Sequence, residues 1–233
     1  MQALVTGAAH RVGRAIALEL HNAGAKVAVH YRSLRADAEQ TAKLLGGAPL
    51  IQGDQTRDAG RIVAEAERKL GGLSLLVCSA ARFGSAPAES VQREDFEEML
   101  ASNLTGPFLL MQAALPHLRK SHGNIVTLLD VCGTSQVWKG YAAYAASKAG
   151  LAALTRLLAL EWAPQVRVNG IAPGLVLPTG EMDETDADRL ANRIPLQRIG
   201  TPEDVARSVL FLAKEPFITG QILTVDGGRT VNP

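Results

Sequence analysis

Ala3-Leu4-Val5-Thr6-Gly7-Ala8-Ala9-His10-Arg11-Val12-Gly13-Arg14 takes the chain from a short β-rich run, through a glycine-containing turn, into the first residues of a helical pattern. A strand handed to a helix through glycines is the start of a βαβ unit. The alternation continues to the end of the 233 residues. Strand-like apolar runs at 3–5, 27–30, 49–52, 73–78, 124–129, 166–171 and 222–225 are separated by helical patterns such as 12–23, 59–70, 142–161 and 202–213. Thr201 as N-cap and Pro202 at the first helical position mark the start of the last of these. Near-continuous apolar strands belong to a parallel sheet covered on both faces. The expectation is an α/β fold, a Rossmann-type doubly wound seven-stranded parallel sheet in a single domain over residues 1–233. Right-handed crossovers then gather the loops at the carboxyl ends of the strands along one edge, where such sheets take ligands.

That edge carries the candidate site. Glycines in the Thr6–Gly13 turn let backbone N–H groups approach a pyrophosphate, and the helix N-terminus adds favourable partial charge. Thr6, Gly7, Arg11, Val12 and Gly13 are therefore candidate dinucleotide contacts. Arg11 stands where a third glycine often sits, its guanidinium within reach of the phosphates or the substrate pocket. At the end of the second strand the chain reads His30-Tyr31-Arg32-Ser33, without the carboxylate that usually meets an unphosphorylated ribose. Arg32 offers a planar fork to a phosphate and Ser33 a hydroxyl, so NADP(H) is expected over NAD(H). Asp54, past the third strand, is placed either to accept from the adenine amino group or to serve as an ordinary loop aspartate.

Tyr144-Ala145-Ala146-Ser147-Lys148 is the strongest local signal for chemistry. Residues four apart share a helix face, so Lys148 lies near the phenol of Tyr144. A phenol titrates at about 10 in isolation, and a neighbouring cation favours its ionised form, which suits it to acid–base work at neutral pH.

Taken together, the 6–13 turn, Asn103, Tyr144 with Lys148, Pro173-Gly174, Thr219-Gly220-Gln221 and Asp226-Gly227-Gly228 resemble the short-chain dehydrogenase/reductase family over nearly the whole chain. The resemblance implies that Tyr144 protonates the substrate, that Lys148 holds the nicotinamide ribose and tunes Tyr144, and that Asn103 supports a water relay. It also implies cofactor contacts from Ser79, Ala80, Ala81, Pro173 and Gly174, and a homo-oligomer, tetramer or dimer, with leucines of 151–160 on an interface helix. Two stretches depart from the family pattern. Its usual serine ahead of the tyrosine is replaced in Leu128-Leu129-Asp130-Val131-Cys132, and an asparagine pair gives way to Cys78-Ser79-Ala80-Ala81-Arg82-Phe83. With Arg11 and the 30–33 stretch, these look like the pteridine reductase branch, which has an aspartate in the serine's place and an aromatic near Phe83. Asp130 lies fourteen positions before Tyr144, one more than the family spacing, which puts Val131 at the unshifted position.

An ionised aspartate accepts hydrogen bonds only, so Asp130 suits a substrate edge presenting N–H groups; protonated, it could assist reduction of a C=N bond. Capping of the following loop is the alternative. Phe83 either stacks a flat ring against the nicotinamide or packs in the core. The irregular 174–200 stretch, with Pro178, Gly180, Pro195 and the acidic run Glu181-Met182-Asp183-Glu184, is a substrate lid or a solvated loop with one short helix.

Composition narrows the alternatives. The chain is 47% hydrophobic and 20% charged, with a formal net charge of +1, which argues against a phosphate-tracking nucleic-acid surface. No run approaches the about 18 apolar residues of a membrane span, and the first residues lack a leader pattern, so a cytoplasmic protein is expected. Cys78 and Cys132 are expected as small buried side chains, Trp138 and Trp162 as packing residues. The five histidines show no ligand spacing, and no metal is expected. The expected partner is a small-molecule substrate. Three functions compete: pteridine reduction at a C=N bond, carbonyl reduction as of a 3-oxoacyl thioester, and non-catalytic sensing of the NADP(H) pool.

Overall fold

In the computed structural model, which describes residues 1–177 and 184–231, seven strands lie parallel in the order β3-β2-β1-β4-β5-β6-β7. They are β1 (Gln2–Val5), β2 (Lys26–Tyr31), β3 (Leu50–Gln52), β4 (Leu75–Cys78), β5 (Asn124–Leu128), β6 (Arg167–Pro173) and β7 (Ile222–Val225). The helices are α1 (Arg11–Asn22), α2 (Arg35–Leu44), α3 (Ala59–Leu70), α4 (Arg93–Leu100), α5 (Gly106–Ser121), the single irregular turn α6 (Val131–Thr134), α7 (Ala142–Trp162), α8 (Glu184–Ala191) and α9 (Pro202–Lys214). All seven strand expectations and the α/β fold class hold.

The period of two along each strand explains the two layers. Ala3, Val5, Leu75 and Val77 point to one face and pack with Ile16 and Leu20 of α1 and Val205 and Val209 of α9. Leu4, Leu76 and Ile125 point to the other and meet Ile62 of α3, Leu110 of α5 and Leu151 of α7. Because both faces are covered, the strand residues alternate in direction without alternating in polarity. Each such buried aliphatic side chain contributes about 1.5–3 kcal/mol relative to exposure. Cys78 and Cys132 are free and buried, as expected of small core side chains. Helix α9 begins with a full capping box: Thr201 Oγ accepts from the Asp204 N–H, and Asp204 Oδ2 accepts from the Thr201 N–H.

Strand order reverses between β1 and β4, so their following loops part and leave a crevice at the carboxyl edge. β6 runs two residues beyond its expected end because Ala172 and Pro173 pair with Thr224 and Val225 of β7, which carries Gly174 to that edge. Gly174 admits no side chain, since a Cβ there would lie 2.6 Å from that of Asp226. Of the 174–200 stretch, Pro178, Gly180 and residues 181–183 of the acidic run lie outside the described residues. Its described part holds α8 and the buried Ile194. Leu157 and Leu160 of α7 are exposed, while Leu151 and Leu158 of the same helix are buried.

Candidate functional site

A cleft of about 1170 Å³ opens at the carboxyl ends of the strands. One half is built from the first turn. Gly7 adopts φ +64°, and a Cβ on it would come within 2.8 Å of the Ala80 Cα; a Cβ on Gly13 would collide with the Gly7 carbonyl oxygen. Only glycine lets these three backbone segments approach, and the first N–H groups of α1, which have no intrahelical acceptors, belong to Arg11, Val12 and Gly13, all of which line the cleft. Arg11 itself sits at φ +52°, a left-handed conformation that costs a non-glycine residue on the order of 1 kcal/mol and explains why glycine is common at this point of such turns.

Most of the expected cofactor residues line this half: Gly7, Arg11, Val12, Gly13, His30, Tyr31, Arg32, Ser33, Asp54, Ser79, Ala80, Ala81, Pro173 and Gly174. Thr6 does not. It is fully buried beneath the turn, and its hydroxyl accepts from the N–H groups of Ser79 and Ala80, both at 3.0 Å, so it ties the first turn to the end of β4 instead of meeting a ligand. His30 also works for the scaffold: its Nδ1 accepts from the Gly7 N–H at 3.4 Å and its Nε2 lies 3.0 Å from the Gly53 carbonyl oxygen. Burial pulls its pKa down to about 4. Asp54 is largely spoken for, since Oδ1 accepts from both the N–H and the hydroxyl of Thr56 while Oδ2 lies 3.8 Å from Arg32. The Thr56 hydroxyl and the nearby Arg32 guanidinium hold its carboxyl below the ordinary range.

In the other half, Tyr144 and Asp130 meet directly. The Tyr144 hydroxyl donates to Asp130 Oδ2 at 2.8 Å, and Asp130 Oδ1 accepts from the Cys132 N–H at 2.8 Å. The capping reading of Asp130 holds for Oδ1, which closes the α6 turn, while Oδ2 meets the phenol. The stretch from Asp130 to Tyr144 opens with this irregular turn, where Cys132 and Gly133 leave helical geometry and Val131 is buried away from the site. Lys148 Nζ donates to the Leu128 carbonyl oxygen at 2.8 Å and stands 5.7 Å from the centroid of the Tyr144 ring. Burial lowers its pKa to about 8, against the upward pull of Asp130.

The electrostatics differ from the simple two-residue picture. Burial, followed by the charge and hydrogen bond of Asp130, drives the Tyr144 phenol above its ordinary range; Lys148 does not dominate. Burial also pushes the Asp130 carboxyl up, opposed by the Cys132 N–H, the Tyr144 hydroxyl and Lys148. The pair thus keeps its shared proton on the phenol until a ligand alters the balance.

Asn103 lies outside the cleft lining, 1% exposed, in a π-helical segment, Ala101–Thr105, between α4 and α5. Its Oδ1 accepts from the Arg82 N–H at 2.7 Å, and its Nδ2 donates to the Arg82 carbonyl at 2.9 Å and to Ser147 Oγ at 3.1 Å. Ser147 in turn donates to the Tyr144 carbonyl at 2.7 Å. The Asn103 side chain therefore locks the Arg82-Phe83 loop to α7, with its amide committed to protein partners. Phe83 is not a core aromatic: it is 46% exposed, lines the cleft, and meets Tyr144 edge-on at 4.8 Å between centroids.

Three wall residues were not expected. Tyr141 lies tilted against Phe83 at 5.3 Å between centroids, Trp138 meets Tyr141 edge-on at 5.6 Å, and the Arg229 guanidinium carbon lies 5.7 Å from the Trp138 ring centroid. Trp138 lines the cleft and also packs, as expected, against the buried cluster of Met99, Cys132, Ala143 and Tyr144, and Trp162 is buried as expected. Tyr141, three residues before Tyr144 on the same helix start, carried a usable signal; Trp138 and Arg229 reach the cleft only through the folding of irregular loops.

Comparison with known proteins agrees with this geometry. A family model described as Enoyl-(Acyl carrier protein) reductase matches residues 7–230. The glucose 1-dehydrogenase of Gluconobacter oxydans is 36% identical across 98% of this chain and 91% of its own. The chain belongs to the short-chain dehydrogenase/reductase family. A 3-oxoacyl-[acyl-carrier-protein] reductase of Rickettsia prowazekii is 34% identical, over 97% of the chain and 95% of the relative. Among solved structures, an apo SCOR enzyme from Clostridium thermocellum superposes with a TM-score of 0.90 at 30% identity, covering 100% of this chain and 93% of that one. As a short-chain dehydrogenase/reductase the chain is an oxidoreductase, which sets the sensor reading aside. Family membership brings a nicotinamide dinucleotide as cofactor, and the glycine cradle and open α1 N–H groups fit its pyrophosphate. Among the described residues, no helix is long and apolar enough to cross a membrane.

Proposed function

We propose that this short-chain dehydrogenase/reductase is an NADP(H)-dependent reductase of a C=N bond in a flat, nitrogen-rich conjugated ring of the dihydropterin kind. The observation that carries the reading is the Tyr144–Asp130 hydrogen bond behind an aromatic wall. The cofactor, when bound, supplies the hydride. Arg32 and Ser33, on a turn lacking its own carboxylate, suit the additional phosphate of NADP(H), and Gly7, Gly13 and the α1 N-terminus suit the pyrophosphate.

The residues of the chain handle orientation and the proton. Phe83 and Tyr141 offer ring faces and edges to a planar substrate. As an ionised carboxylate, Asp130 has no proton to give. A substrate N–H that donates to Asp130 Oδ2 frees the Tyr144 proton for the reacting nitrogen, and Lys148 limits the cost of the phenolate left behind. A ketone oxygen brings no donor for Asp130 and must compete with it for the one phenol proton. That asymmetry favours the ring substrate.

Reduction of a 3-oxoacyl thioester or another carbonyl is the second reading, supported by the names of the relatives. The test is NADPH oxidation, followed by absorbance, with 7,8-dihydropterins and acetoacetyl thioesters offered in parallel. Turnover of dihydropterins alone is expected. Turnover of the thioester alone returns the chain to carbonyl reduction and leaves Asp130 as a loop cap.

A further inference from the structure

A second cavity, of about 770 Å³, adjoins the substrate end of the cleft and shares Trp138 and Arg229 with it as a common wall. The turn that follows Asp130 forms one side, with Thr134, Ser135 and Gln136; Asn192 and Arg193, just past α8, form the other. Its charge is one-sided. Among the described residues, Arg193 and Arg229 line it, no carboxylate does, and neither guanidinium is in an ion pair, although Asp130 lies close enough for Arg229 to pull its carboxyl down against the larger upward push of burial. Arg82, across the main cleft, differs in being paired with Glu98.

Arg229 is held in place. Asp226 accepts from the N–H groups of Gly228 at 2.9 Å and Thr230 at 2.7 Å, which pins the turn on which Arg229 sits. The Arg229 carbonyl accepts from Gln136 Nε2, while Gln136 Oε1 accepts from the Trp138 indole N–H, each at 3.4 Å. The guanidinium rests over the Trp138 ring. The Thr134 hydroxyl is committed to the Asp130 carbonyl at 2.7 Å, which leaves the two guanidinium forks, the Ser135 hydroxyl and the Asn192 amide as the donors facing this space. A half-buried guanidinium set over an indole ring, on a pinned turn and in no ion pair among the described residues, keeps its planar donor set for an oxyanion.

We infer that the substrate carries a compact oxyanion, carboxylate or phosphate, on an arm that leaves the reacting ring, passes the Trp138–Arg229 wall and is gripped in the second cavity by Arg229 and Arg193. The direction of the arm rests on the ring-in-cleft reading above. The anion site itself does not require C=N chemistry. It makes Arg229 a specificity-determining residue that selects the tail of the substrate, while Asp130 and Tyr144 read its reactive ring.

The test is binding to the whole protein saturated with NADP⁺, so that the cofactor phosphate sites are already filled. 4-Aminobenzoylglutamate, its uncharged diamide and phenyl phosphate are titrated by calorimetry and by tryptophan fluorescence, since Trp138 borders the site. The dianion is expected to bind at least about tenfold more tightly than the diamide, the scale of one lost charge-assisted contact. Arg193→Met should remove most of that preference while leaving diamide and NADP⁺ affinity unchanged, and Arg229→Met should narrow the ratio of dianion to diamide affinity. Arg193 is exposed, so its variant carries the test even if Arg229→Met folds poorly, and Arg229→Lys should retain part of the preference through charge alone. The relative affinities of the two anions show which oxyanion the site fits. Equal affinity for dianion and diamide, or a preference unchanged in both methionine variants, overturns the inference. Failure of the C=N reading is visible separately, as absence of NADPH oxidation with dihydropterins beside intact anion binding.

Discussion

The proton chemistry of the site turns on Asp130, because the same carboxylate raises two neighbours. Its charge pushes the Tyr144 phenol up and pulls the Lys148 ammonium, lowered by burial to about 8, back upward. Asp130→Asn removes both effects, so Tyr144 and Lys148 should each lose their proton at lower pH. Reduction needs the phenol protonated and the ammonium charged, and the alkaline limb of kcat/KM is therefore expected to move towards neutral pH in this variant. The measurement is the pH profile of NADPH-dependent turnover for both proteins; a coincident alkaline limb would remove Asp130 from the proton path. At this scale the sequence was partly legible. The Tyr144 and Lys148 spacing speaks through the helix period, and Asp130 stood out as a departure from the family pattern. That Tyr144 donates to Asp130, and that Lys148 spends a proton on the Leu128 carbonyl, depends on how residues 131–141 fold back, and no local period encodes an irregular turn.

Elements show the opposite balance, since glycines here have reasons that can be separated. Gly13 lies on α1, where a Cβ would meet the Gly7 carbonyl oxygen, a backbone atom that cannot step aside without opening the turn. Gly60 lies on α3, where a Cβ would find open space and no left-handed backbone is involved. Gly13→Ala is expected to weaken NADP⁺ binding by at least about tenfold and to lower stability, as overpacking against a fixed group costs about 1–3 kcal/mol. Gly60→Ala should instead stabilise by about 0.5–1 kcal/mol through helix propensity and leave cofactor affinity unchanged. Cofactor titration together with denaturant unfolding separates the two, and equal behaviour would mean that the turn is not packed as described. The glycine turn announced the first βαβ unit, while the Thr6 hydroxyl braces that turn and the Asn103 amide clamps a loop. Both have side chains that could serve a ligand or the backbone, and only the packed structure decides which.

Across the whole molecule, the alternating order of strands and helices along the chain was the most legible feature because it follows from the apolar runs and the helical patterns between them. What that order does to His30 could not be read in advance. Its position at the end of β2 suggested a cofactor contact, but the sheet places its ring, 2% exposed, between the β1 turn at Gly7 and the end of β3 at Gly53. In this pose the neutral ring donates from Nε2–H to the Gly53 carbonyl and accepts the Gly7 N–H on Nδ1, and a second ring proton would leave Gly7 facing a donor. The folded pKa is about 4 against 6.5 for the free side chain, because burial disfavours the charged form. Between those values the unfolded chain binds the additional proton, so this contribution is complete above about pH 6.5 and is lost as pH falls towards 4. By linkage the loss amounts to about 2 kcal/mol at pH 5. His30→Gln keeps a donor and an acceptor without a titrating ring, and its stability should fall less steeply from pH 7 to pH 5 than that of the native chain. Denaturant midpoints at the two pH values measure the difference, and parallel losses in both proteins would show that His30 does not couple the three strand ends in its neutral form.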